Sequence, residues 1–466
     1  MHYAGSIEQQ DVVAVAALRA KLQGTVVTPA DEQWNEARQA WNLAVDQQPE
    51  LVVLAESAED VAWTVAFAVE NGLRVAPQGT GHNASALGPL DGAVLLKTSR
   101  MRGVSVDAET RTARAEAGVV WLDVVTAAAE HGLAPLAGSS PDVGVVGYTL
   151  GGGLSWLGRK HGLAANNVTA VELVTADGRI VRATRDEEPD LFWAVRGGGG
   201  AFGVVTALEF DVFPVEQVYA GILWFPFERA GEVLQAWREY VAAGVPDELT
   251  TVGRLLQFPP IPEIPEPVRG KSFVVVQAIY LGDEADGAEL LEPLRALGPV
   301  LDTVAMISTE QLSHLHMDPE HPVPGAGDGD LLAELTPEAI DAFVAVAGPG
   351  SGSSLLSVEL RHLGGAIGRP SPEHGALSAF DAEFAVFAAG VAPTPELKAK
   401  VQADTAALLD ALAPWVSQQT YMNFRESRED ARRFVPEQAY HRLRRIKSAV
   451  DPHDVIRSNH PIGGKS

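Results

Sequence analysis

At 466 residues, with 46% hydrophobic and 21% charged side chains, the chain is long enough for two or three cores and has an ordinary globular balance. Its 35 basic against 61 acidic residues leave a formal net charge of −26, which repels polyphosphate and anionic lipid and argues against any nucleic-acid or membrane partner. Cysteine is absent, so disulfides and thiol chemistry are excluded, and no apolar run approaches the roughly 18 residues of a membrane span. The first ten residues lack the basic and apolar regions of a signal peptide, and a cytoplasmic protein is expected.

Residues 11–22 carry charges at helical spacing and predict a surface helix. Short apolar runs at 51–54 and 94–97 predict strands, and 58–71 a helix with Ser57 as its N-cap and Gly72 beyond its end. Next comes Val75-Ala76-Pro77-Gln78-Gly79-Thr80-Gly81-His82-Asn83-Ala84. This run sets the His82 imidazole on a glycine loop straight after a strand, where backbone amides approach a phosphate with no side chain between. The same letters satisfy the dinucleotide fingerprint G-x-G-x-x-G/A, but that motif needs a helix opening inside the loop. Gly88-Pro89 and Asp91-Gly92 leave no room for one of useful length.

A short helix is predicted at 121–131, ended by Gly132. A second glycine tract runs from Gly138 through Ser140, Val143, Gly144, Gly147 and Tyr148 to Gly151-Gly152-Gly153, then on past Gly158 and Gly162 to Asn166. Its spaced glycines suit a long backbone wrap along an extended ligand. Asp177-Gly178 predicts a two-residue hairpin turn within 171–181, and a third tract spans Asp190 to Val205. From about 215 the glycine density falls. Helices at 228–243, 284–297 and 395–412 with strands at 252–258, 273–281, 355–363 and 377–388 predict an antiparallel sheet with helices on one face. The stretches 259–267 and 325–330 read as loops, the second mobile enough to gate a site.

Glu359 and Arg361 alternate with apolar residues and so share a strand face expected to look into the pocket; Asp381 and Glu383 form a second such pair. His314, His316, Asp318, Glu320 and His321 are metal-ligand types, but their spacing fits no standard zinc helix and no metal is expected. Gly270-Lys271-Ser272 and Gly464-Lys465-Ser466 fail as phosphate loops, the first for want of a leading glycine and the second of a following helix. The basic run Arg428, Arg432, Arg433, Arg442, Arg444, Arg445 and Lys447 reads either as a solvated helix face with internal ion pairs or as charge facing a diphosphate or anionic substrate.

Residues 50–214, with the closing segment from Tyr421-Met422-Asn423 to Asn459, resemble the FAD-linked oxidases of the vanillyl-alcohol-oxidase superfamily, berberine-bridge-enzyme-like branch. The resemblance rests on four pieces together: the G-x-G-H loop at 79–82, the S-P-x-V-G-x-x-G tract from Ser140 with its triple glycine, the D-L-F-W-A-x-R-G-G-G run from Asp190 leading to Phe202-Gly203-Val204-Val205, and the Y-x-N at Tyr421. It implies an α+β molecule with a PCMH-type FAD-binding domain at 1–214, in two α/β subdomains of about 23–105 and 106–214. A substrate-binding domain would follow at 215–415, and the chain would return to the first domain at 416–466.

The resemblance implies FAD attached covalently through His82 alone, because Ser140 stands where many members carry a second, cysteinyl bond. Cofactor contacts are then expected from Pro77, Gln78, Gly79, Thr80, Gly81, Asn83, Ser140, Val143, Gly144, Gly147, Tyr148, Gly151, Gly152, Gly153, Gly158, Gly162, Asn166, Val204 and Asn423. The implied reaction moves hydride from an alcohol or amine C–H of a small molecule to the flavin, with O2 reduced to H2O2; the small Val143 resembles the arrangement of the oxidases. A dehydrogenase using another acceptor, and a flavin-binding protein without turnover, stay open. Tyr421 is expected as the base and Asn423 as an orienting group, with Glu359, Asp381 and Glu383 as alternatives. Substrate and O2 are the expected partners, and the chain is expected to be a monomer or homodimer.

Overall fold

The computed structural model describes residues 4–463, so the Gly464-Lys465-Ser466 look-alike lies outside the described residues. Three sheets organise an α+β molecule. In the first, Thr25–Val27, Leu51–Leu54, Ala93–Lys97 and Arg74–Gln78 lie side by side in that order, the last three parallel. Parallel strands need a crossover, and the Ala58–Glu70 helix carries the chain from Leu51–Leu54 to Arg74–Gln78, leaving the place between them for Ala93–Lys97. The Ser57 side chain accepts the Asp60 N–H at its start, and Gly72, with φ of 66°, follows its end. The helix expected at 11–22 is the second half of a longer one, Ala4–Lys21.

The second sheet is antiparallel and five-stranded, ordered Val104–Asp107, Thr112–Glu116, Val204–Asp211, Val168–Val174, Ile180–Ala183. Its last hairpin corrects the two-residue turn expected at Asp177-Gly178. The Gly178 N–H closes onto the Thr175 carbonyl around Ala176-Asp177, and Gly178 itself takes the left-handed position at φ 80° as a bulge.

The third sheet has eight antiparallel strands. Its order is Leu301–Asp302, Gln217–Pro226, Ser272–Tyr280, Leu249–Gln257, Ser357–His362, Phe384–Val391, Gly325–Leu332, with Ala305–Ser308 also on Gln217–Pro226. Helices Ala230–Ala242, Glu284–Arg295, Pro337–Ala347 and Pro395–Leu412 cover one face, the arrangement expected from the sequence. Val358 and Leu360 point into that helix-covered core, so the period of two turns Glu359 and Arg361 to the opposite face. There the sheet packs on the N-terminal half of the chain: Val252, Ile279, Leu331 and Ala385 share one core with Trp121, Tyr148, Trp156 and Tyr421.

Two expectations are corrected in this sheet. The stretch 325–330 is no gating loop; it lies in the Gly325–Leu332 strand, paired along its length with Phe384–Val391. Its glycines mark close strand approach, since a Cβ on Gly327 or Gly329 would sit 2.4 Å from the Ala388 or Val386 carbonyl oxygen. The strand expected at 377–388 begins only at Phe384, and the residues before it run irregularly, tied by the side chains of Asn166 and Gln419.

Candidate active site

The Arg74–Gln78 strand lies at the edge of its sheet, where Pro77 costs no ladder bond to a strand neighbour. Beyond it Gly81 adopts φ 89°, and a Cβ there would come within 2.9 Å of Ala40, so the loop closes only with glycine. This turn delivers His82. Its Nδ1 lies 2.8 Å from the Thr80 hydroxyl, its ring stacks on Trp41 with centroids 4.0 Å apart, and its Nε2 lies 3.3 Å from Asp142 Oδ1. Asn83 donates to the Arg425 carbonyl at 3.1 Å while its own side-chain oxygen is buried without a partner.

Across from the loop, Gly144 precedes the short Val145–Leu150 helix, which ends in the triple glycine. A Cβ on Gly151 would sit 1.9 Å from the Asn423 side-chain oxygen, and Gly152 and Gly153 have φ of 115° and 75°. Backbone is therefore bare where the Tyr421 to Phe424 turn meets it. The buried Tyr421 oxygen accepts the Leu154 N–H at 3.0 Å and the Asn423 Nδ2–H at 2.9 Å, and Asn423 also donates to the Tyr148 carbonyl at 2.9 Å. Burial pushes the Tyr421 phenol up to about 12, against the pull of Asn423, the Leu154 N–H and the charge of Arg361.

Arg361 comes from the helix-free face of the eight-stranded sheet. Its guanidinium lies 4.5 Å over the Trp156 ring, bonds Glu359 at 2.9 Å, and keeps a buried Nε with no partner. Glu359 also meets His316 Nε2 at 3.1 Å. Burial alone would raise the Glu359 carboxyl, but Arg361, His316 and Arg254 outweigh it and hold it well below the usual range. His316 is pushed down by burial and by Arg254, and it bonds Gln277 at 2.8 Å.

A family model described as an FAD binding domain matches residues 49–184. (R)-6-hydroxynicotine oxidase of Paenarthrobacter nicotinovorans is 31% identical over 95% of this chain and 97% of its own. The chain belongs to the FAD-linked oxidases of the vanillyl-alcohol-oxidase superfamily, berberine-bridge-enzyme-like branch. The solved 6-hydroxy-D-nicotine oxidase of Arthrobacter nicotinovorans superposes with a TM-score of 0.80 at 28% identity, covering 95% of this chain and 98% of that one. BBE-like 1 of Physcomitrella patens shares the fold, with a TM-score of 0.84 at 20% identity over 97% and 99% of the two chains.

This oxidase-family chain is an FAD-dependent oxidoreductase, and its residues fit the cofactor. The bare Gly151-Gly152-Gly153 backbone, the unpartnered Asn83 oxygen and the imidazole on its glycine loop together offer a cradle for it. Ser140 donates to Asp142 Oδ1 at 3.1 Å, and the Val143 carbonyl accepts the Trp121 N–H at 3.0 Å. Gln78 instead bonds Gln47, and Val204 is buried among Val174, Leu51 and Val53.

Three expected cofactor contacts are used elsewhere. Asn166 spends its side chain on Leu377, Ser378 and Gly375, and Gly158 opens and Gly162 ends a short helix packed on the Gly365–Gly368 turn, so these residues anchor the 365–378 segment. Asp381 is also corrected. With Glu383 it is exposed just before the Phe384–Val391 strand, outside the buried Glu359–Arg361 cluster, because that strand starts later than its sequence suggests. The basic run divides: Arg442 pairs with Asp190 and Arg433 with Asp330 and Glu429, while Lys447 is buried against Asp451. Sequence reasoning did not find Trp41, Asp142, Arg254 or Trp156. Asp142 alone carried a signal, as an acid inside the glycine tract.

Among the described residues no helix is long and apolar enough to cross a membrane.

Proposed function

We propose that the chain is an oxidase of small-molecule alcohols or amines, with FAD held through His82 and O2 as the electron acceptor. Bound FAD supplies a two-electron acceptor for hydride, and O2 restores it with release of H2O2. The residues of the chain hold the substrate and manage its proton. The observation that carries the reading is the Tyr421 oxygen, fixed by two N–H donors beside the triple glycine and within reach of the Arg361 charge.

In that setting Tyr421 takes the acidic proton of the substrate hydroxyl or amine only after losing its own, so the rate should rise with pH toward the phenol's value of about 12. The Asn423 and Leu154 N–H groups stabilise the phenolate. Arg361 adds positive charge from the opposite wall. Glu359 stays ionised between Arg361 and His316, which suits it to orient Arg361 and to accept a substrate hydrogen bond rather than to act as the base. Its carboxyl is too acidic to take a proton near neutrality. The relative named for 6-hydroxynicotine supports placing cyclic amines first in a substrate panel, with benzylic alcohols and sugars beside them.

The test is oxygen uptake with such a panel. One H2O2 per O2 consumed, and flavin that stays with acid-precipitated protein, are the expected results. Reoxidation in air over many minutes, with fast turnover only on an artificial dye, would overturn the oxidase reading. Yellow colour released into the acid supernatant would overturn the covalent link.

A further inference from the structure

Around His82 stands a constellation that the proposed reaction on substrate does not use. The imidazole lies on the Trp41 indole at an interplanar angle of 19°. Its Nε2 is buried, has no well-directed hydrogen-bond partner, and faces Asp142 Oδ1 at 3.3 Å. Asp142 is itself fixed, with Oδ2 accepting the Trp41 indole N–H at 2.5 Å and Oδ1 the Ser140 hydroxyl at 3.1 Å. Trp41 thus stacks on the imidazole and anchors the carboxylate beside it. Among the described residues His82 is the one charge partner within ion-pair distance of Asp142.

We propose that Asp142 is the positioning residue for attachment of FAD: it holds His82 with its proton on Nε2, leaves Nδ1 as the nucleophile, and balances the positive charge that builds on the ring as the bond forms. The proposal rests on the covalent-FAD reading above. A carboxylate beside one imidazole nitrogen sets the tautomer and stabilises the imidazolium, as in a hydrolase triad. With the proton held on Nε2 by Asp142, the Thr80 hydroxyl, 2.8 Å from Nδ1, is placed to donate to that nitrogen and keep the ring oriented. Nε2 is an unfavourable attacker because it is buried and faces the carboxylate. Burial raises the Asp142 carboxyl, but His82, Trp41 and Ser140 together hold it below its ordinary value, so it is ionised near neutrality. Ser140, which stands where many relatives carry a second bond, here steadies Asp142.

The attachment balances as follows. One C–H bond of the flavin 8α-methyl breaks and a C–N bond to Nδ1 forms. The methyl proton and the Nε2 proton leave, and the electron pair of the broken bond reduces the flavin ring by two electrons. O2 then takes that pair and two protons as H2O2.

The experiment adds FAD, in air, to full-length apoprotein of wild type, Asp142→Asn, Asp142→Glu and His82→Ala. Non-covalent affinity is read by flavin fluorescence quenching, and covalent attachment by the intact mass of the denatured chain over time. Asp142→Asn is expected to bind FAD within about twofold of wild type yet attach it at least about tenfold more slowly, with Asp142→Glu recovering part of the rate. Asp142→Asn attaching at the wild-type rate overturns the proposal. So does a loss of affinity in proportion to the loss of rate, which is the mark of a merely structural role. Covalent FAD on His82→Ala, or none on wild type, sinks the underlying reading instead, and the proposal with it.

Discussion

The Tyr421 hydroxyl is one buried oxygen on which two N–H donors converge, and removing it is the sharpest single-atom experiment the molecule offers. Tyr421→Phe is expected to keep its FAD and to slow anaerobic flavin reduction at saturating substrate by at least about tenfold, measured by stopped-flow absorbance. Because burial holds the phenol up at about 12 and Asn423 pulls it down, Asn423→Ala should move the alkaline-rising limb of the reductive rate to higher pH. A limb that stays in place would remove the Tyr421 proton from the mechanism. His82, Tyr421 and Asn423 were legible in the sequence because each sits in a motif whose spacing is local. Trp41 and Arg254 were not, since Trp41 meets Asp142 across 101 residues and Arg254 meets the His316 carbonyl across 62. Such meetings are decided by how distant segments of the chain pack together, which no local pattern records.

At the scale of elements, the Glu437–Val450 helix is clamped to the first sheet by a buried ion pair. Lys447 bonds Asp451 at 2.6 Å and the Ala201 carbonyl at 2.9 Å, while Asp451 accepts the N–H groups of Val455 and Ile456, which lie along the Arg74–Gln78 strand. Asp451→Asn leaves the ammonium buried with no charge partner of comparable burial, and should cost about 3–5 kcal/mol in chemical denaturation. A loss under about 1 kcal/mol would place the pair among ordinary surface bridges. Element legibility followed the strength of local signals. The Pro395–Leu412 helix, with Thr394 as cap and proline at its first position, was read to the residue. Gln217–Pro226 was missed because eight of its ten residues are buried in succession, so it shows no alternation. Gly325–Leu332 was misread because glycine signals a loop and a crowded strand alike.

For the whole molecule, acid stability should be set by imidazoles. Burial pushes His362 down to about 3, with Arg159 adding to it, and His460 down to about 4, with Arg425 adding to it; His316 is lowered too. Unfolded histidines take up a proton near pH 6.5 while these stay neutral, so their contribution is complete above about 6.5 and is lost progressively as pH falls toward 4. The depressed Glu359 acts in the same direction, but only below about 4.3. Glu426, pushed up to about 8 by burial and Asp328, works the other way over this range, but three lowered rings outweigh one raised carboxyl. The melting temperature should therefore fall between pH 7 and pH 5, and His460→Gln should flatten that slope; an unchanged slope in the variant would mean that ring is not held neutral. The α+β class and the helix-covered sheet were open to reading at this scale, but the packing of that sheet's other face on the first half of the chain was not.

The return of the chain in its last fifty residues also imposes an order on biosynthesis. Asn83 waits for the Arg425 carbonyl 342 residues downstream, Leu154 for Tyr421 267 residues on, and Arg74 for Asp454 380 residues on. At roughly 5–20 residues per second on the ribosome, the glycine loop spends on the order of 20–70 s without that contact. The cradle is therefore completed late, and a message truncated anywhere before Tyr421 yields a chain whose glycine loops lack these partners.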